Sequence, residues 1–69
     1  MIITSASLNS TGTAVYLMDP ETLAERRLVA RDVARRLGWN VEDFREQFGN
    51  RNSFDLDYDK VSDLPNFKS

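Results

Sequence analysis

The sequence contains no cysteine and no histidine. The first absence excludes disulfides, thiolate metal sites and thiol nucleophiles; the second removes the commonest general base and metal ligand. Glycine occurs three times and proline twice, with no glycine cluster, so no loop is built to cradle phosphate. There is no long hydrophobic run. Residues 1–18 carry no charged side chain, yet Thr4, Ser5, Ser7, Asn9, Ser10 and Thr11 interrupt that stretch and no Lys or Arg precedes it. It fits neither a secretory signal nor a bilayer span. The expectation is a cytoplasmic chain whose mature start lies near Met1, with no membrane partner.

What is present is small. Sixty-nine residues provide for one domain, 1–69, around one core. A core of that size leaves little surplus stability, so a partner or self-association would help. The formal net charge is −2, which argues against indiscriminate nucleic-acid binding. Charge falls into three regimes: residues 1–18 uncharged, residues 19–39 slightly basic and residues 40–69 acidic. No internal repeat or low-complexity tract appears.

The uncharged regime predicts a β-hairpin over 1–18. Ile2, Thr4, Ala6 and Leu8 alternate with Ile3, Ser5, Ser7 and Asn9. Ser10-Thr11-Gly12 then gives the turn, and Thr13 to Met18 the second strand. A hairpin without edge charges needs its edges covered, by the rest of the chain or by a second molecule. Residues 19–49 read as a two-helix unit. Asp19-Pro20-Glu21 suits a helix start, and Leu23, Val29, Ala30, Val33, Ala34 and Leu37 recur at helical spacing up to Gly38. This predicts one long amphipathic helix. A short second helix follows a sharp turn, capped by Asn40, striped by Val41, Phe44 and Phe48, and ended by Gly49. Residues 53–61 alternate as a strand joining the sheet, and 62–69 form a tail with Leu64 and Phe67 as anchors. The expected fold class is α+β.

Val33-Ala34-Arg35-Arg36-Leu37-Gly38-Trp39-Asn40-Val41-Glu42-Asp43-Phe44 has a small residue in the first helix, a Leu-Gly turn, a polar cap and an apolar residue packing back. This stretch resembles the core of the helix-turn-helix family, and with a preceding strand it is somewhat similar to ribbon-helix-helix repressors. The resemblance implies DNA binding through residues 33–48 by a dimer. Charge opposes that implication. Glu42, Asp43 and Glu46 occupy the helix start that would meet phosphates, with Arg45 the only contact on offer there.

Two charged rows stand out. Arg27, Arg31 and Arg35, spaced four apart, would line one outward stripe of the long helix. As a solvated face they need no partner; as guanidinium forks they suit paired carboxylates. Asp55, Asp57 and Asp59 would project from one face of the last strand, about 6.6 Å apart. They match the first acidic positions of a calcium loop. However, Lys60 replaces the glycine and Asn66 the closing glutamate, so no metal or other cofactor is expected. Catalysis lacks its usual groups, because the carboxylates are read as solvent-facing and Ser5, Ser7 and Ser10 have no base nearby. The expectation is a bipolar, non-enzymatic regulator or adaptor. It would bind another protein through Arg27, Arg31, Arg35, Asp55, Asp57 and Asp59, as a phage or mobile-element inhibitor would. A homodimer is left open, and a DNA-binding regulator is the alternative.

Overall fold

In the computed structural model, which describes residues 1–67, the uncharged segment folds into strands β1 (Ile3–Leu8) and β2 (Ala14–Met18). Asn9 organises their turn: its Oδ1 accepts from the amides of Thr13 and Ala14, and its backbone carbonyl accepts from Gly12 N. Gly12 has φ +71°, the left-handed conformation that favours glycine. Strand β3 (Glu25–Val29) pairs with β2, and β4 (Phe54–Asp57) pairs with β1. The result is a four-stranded antiparallel sheet, ordered β3-β2-β1-β4. Both edges of the hairpin are thus covered from within the chain. The fold is α+β, with the hairpin and the joining C-terminal strand as expected.

The long helix over 19–37 is not formed. Asp19 does accept from the amides of Glu21 and Thr22, but it caps a turn. Leu23 N donates to the Asp19 carbonyl and Asp19 N to that of Ala24, closing a β-hairpin. Asp-Pro-Glu starts a turn as readily as a helix, and the unpaired edge of β2 decides between them. As a strand, Glu25–Val29 satisfies the backbone of β2 and buries Leu28 opposite Val15. Helix α1 is only Ala30–Arg36. It ends where Gly38 (φ +81°) allows the chain to turn, with Trp39 N bonded to Ala34 O and Gly38 N to Arg35 O. Helix α2 (Val41–Phe48) begins as expected, with Asn40 Oδ1 accepting from Glu42 N.

The expected strand over 53–61 is also shorter. After Asp57 the chain enters a 3-10 turn, Tyr58–Lys60, in which Asp59 N donates to the Asp57 carboxylate. Both helices pack on one face of the sheet. Val15, Leu17, Leu28, Val33, Ala34, Phe44, Phe54 and Leu56 form the core between them. Trp39, Phe44, Phe48 and Phe54 make an aromatic cluster in edge-to-face and tilted contacts. Val61 and Leu64 join this core, so the start of the expected tail is packed. Residues 68 and 69 of that tail lie outside the described residues.

Arg26 fixes this last segment. It points to the helical side of β3 and donates to Tyr58 Oη (2.8 Å), the Ser62 carbonyl, the Leu64 carbonyl and Asn66 Oδ1. Tyr58 in turn donates to the Asp19 carboxylate at 2.8 Å. These bonds hold the Asp19 carboxyl below its ordinary range, the Glu21 amide contributing most, then Tyr58 and Thr22. Across the end of the helices, Arg36 pairs with Asp63 at 2.6 Å, lowering the carboxyl's pKa and raising that of the guanidinium.

Candidate protein-interaction face

The helices cover one face of the sheet and leave the other open. Alternation of side chains along each strand decides what that face displays: Ile3, Ser5 and Ser7 from β1, Tyr16 and Met18 from β2, Glu25 and Arg27 from β3, Asp55 and Asp57 from β4. Strand register sets these groups in rows. Asp55 lies opposite Ser5, and Met18 opposite Glu25. Ser5 and Met18 meet one step beyond the Ala6–Leu17 pair. One row therefore runs Asp55, Ser5, Met18, Glu25, with a carboxylate at each end. The adjoining row pairs Ile3 with Asp57.

Apolar groups concentrate at the same end of the sheet. Ile3 is 50% exposed, Met18 48% and Leu23 71%. Leu23 sits in the β2–β3 turn with φ +63°, the one non-glycine residue with positive φ among the described residues. An L side chain held there costs about 1–2 kcal/mol, and glycine or asparagine would serve the turn better. The exposed leucine is thus unfavourable both for the backbone and for hydration. It lines a shallow depression of about 390 Å³ with Ser5, Tyr16, Leu17, Met18 and Glu25.

The residues singled out in the sequence are distributed differently from the expectation. Arg27, Arg31 and Arg35 form no stripe, because the helix that would align them is interrupted. Arg27 lies on the open sheet face, its guanidinium 5.0 Å from the centre of the Phe67 ring and donating to the Phe67 carbonyl. Arg31 and Arg35 are exposed on α1. Asp55 and Asp57 do share the open face. Asp59 does not: it lies in the 3-10 turn, 3.5 Å from the Met1 amino nitrogen. Among the described residues, none of the three arginines pairs with any of the three aspartates.

No family model matches this chain, and no curated protein or solved structure resembles it closely enough to place it. The geometry therefore stands alone. The sheet face gathers Ile3, Met18, Leu23 and Glu25 beside the aspartates, and sequence reasoning passed over all four. A signal existed: Ile3 and Met18 occupy the outward phase of strands whose inward phase is already apolar. Leu23 was absorbed into a helical pattern that the chain does not adopt.

The helical side offers a weaker surface. The first turn of α2 exposes Glu42 and Asp43, with Glu46 a turn later. Arg45, the one cation there, bonds its Nε to the Gly12 carbonyl at 2.6 Å and packs its stem against that glycine. Trp39, Asp43, Glu46 and Gln47 line a smaller groove of about 230 Å³.

Proposed function

We propose that the chain is a small non-enzymatic protein that binds another protein through the open face of its sheet, acting as a regulator or adaptor. The observation that carries this reading is Leu23, an apolar side chain displayed at a backbone position that disfavours it. Strain kept at an exposed position points to use. Ile3 and Met18 extend the apolar area, and Glu25, Asp55 and Asp57 rim it. With Arg27 the one cation of the face among the described residues, the partner surface is apolar with a cationic border.

A second copy of the chain is the poorer occupant. Stacking two such faces opposes Glu25, Asp55 and Asp57 of each copy, while Arg27, the cation of this face among the described residues, is already engaged by Phe67. DNA binding through residues 33–48 is likewise disfavoured, since α2 would bring Glu42 and Asp43 to the phosphates while Arg45 is held by Gly12.

Photo-crosslinking tests the reading in the cells that make the protein. A benzoylphenylalanine at position 23 is expected to crosslink a heterologous protein, and the adduct should be lost in E25K/D55K. The same probe at Arg31, on the helical side, should not form it. Adducts with a second copy alone, or equal adducts from position 31, would overturn the proposal, as would a shift of mixed duplex DNA at low salt that R45A abolishes.

A further inference from the structure

Resting on that reading, the geometry points to the form of the partner: a cationic amphipathic helix of about three turns, laid across the strands at the end of the sheet bearing the β2–β3 turn. The apolar groups do not follow one strand. Ile3 belongs to β1, Met18 to β2 and Leu23 to the turn after it, so the apolar band crosses the sheet. Its two carboxylate ends, Asp55 on β4 and Glu25 on β3, are three strand spacings apart, about 14 Å. At about 1.5 Å per residue that is the rise of nine or ten helical residues. The band takes in two side-chain rows, the Ile3–Asp57 row and the Asp55–Glu25 row, about 7 Å along the strands. This matches the apolar stripe of one helix.

An extended segment fits less well. A strand adding to the sheet pairs along an edge, and the apolar band lies on the face. On the β3 edge, moreover, Phe67 N already donates to the Arg27 carbonyl. A helix across the strands seats leucine-type side chains beside Met18 and Leu23 and in the depression over Tyr16, and holds a lysine or arginine near each end for Glu25 and Asp55. The opposite face is already covered by α1 and α2, so the occupant would complete a three-layer arrangement.

The test uses the full-length ¹⁵N-labelled chain and three synthetic 12-residue peptides. One is a helix with leucines at i, i+3, i+4 and i+7 and lysines at the ends of that stripe. The second replaces those lysines by glutamate, and the third keeps them but carries a central proline. The lysine helix is expected to shift the amides of Ser5, Met18, Leu23 and Glu25. The glutamate peptide should bind at least tenfold more weakly, and E25Q/D55N should reduce the difference. Proline should weaken binding to a similar degree. If the proline peptide binds as well as the helix, the helical form is wrong while the docking face stands. If the glutamate peptide binds as well, the cationic requirement is wrong. If no peptide perturbs the open face, or all act on α1 and α2, both the inference and the docking reading fall.

Discussion

Replacing Leu23 by glycine should move stability and binding in opposite directions. At φ +63° the leucine carries about 1–2 kcal/mol of backbone strain, which glycine removes. Glycine's greater freedom in the unfolded chain takes back about 0.4–1 kcal/mol. Little else is lost on folding, since the side chain is 71% exposed. The net expectation is a gain of about 0.5 kcal/mol, or a rise in Tm of about 2–4 °C for a chain of this size. On docking, the same substitution forfeits the burial of a leucine, about 1.5–3 kcal/mol, which is a tenfold to hundredfold weaker complex. Leu23→Ala separates the two effects: it keeps the strain and deletes most of the side chain, so binding falls without the gain in Tm. Thermal unfolding by circular dichroism reads the first quantity, and titration with the partner or the lysine helix reads the second. A drop of several degrees in both variants would show that Leu23 packs for stability, and the argument from its exposure would be refuted.

Other expectations follow from the remaining contacts. Arg26→Met removes the donor shared by Tyr58, Ser62, Leu64 and Asn66. A hydrogen bond to a charged group contributes about 1.5–3 kcal/mol net of its exchange with water. Urea unfolding should show a loss of at least that much, and limited proteolysis should begin within residues 61–67. Gly38→Ala meets no neighbouring atom but must adopt φ +81°, costing about 1 kcal/mol in the same assay. Gly12→Ala should cost more, because its Cβ would also lie 3.0 Å from the Arg45 side chain. The carboxyl pKa values of Asp19 and Asp63 are lowered in the fold. Their contribution to stability is therefore present above the ordinary carboxyl pKa of about 3.9 and lost as pH falls through the depressed values. The urea midpoint should decline in that acid window, and less steeply in D19N/D63N.

The hairpin, the corner between the helices and the inward phase of β4 were legible in the sequence because each is a local matter. Gly12 and Gly38 mark left-handed turns, Asn40 marks a cap, and Phe54 and Leu56 alternate with Asp55 and Asp57. The interrupted helix was not legible for a different reason. Asp19-Pro20-Glu21 begins either a helix or a turn, and Leu23, Val29 and Ala30 fit a helical template loosely. What separates the outcomes is non-local: the backbone of β2 needs a partner, and Leu28 packs into the core only from a strand. The candidate face inherits this. Once residues 25–29 are a strand, Glu25 and Arg27 move to the sheet, the arginine row disappears, and Leu23 becomes the tip of a turn. Asp59 departs because the Asp57 carboxylate caps the next turn and ends the strand early.

The absence of native cysteine permits a direct footprint of the face in use. Single cysteines at Ser5 on the open sheet and at Arg35 on α1 report each side by the rate of maleimide labelling, compared between buffer and the concentrated extract of the producing cells. Slower labelling at position 5, restored by high salt or by E25K/D55K, with position 35 unchanged, is the expected result. Protection at position 35 with position 5 fully reactive would place the contact on the helices and contradict a docking surface on the sheet.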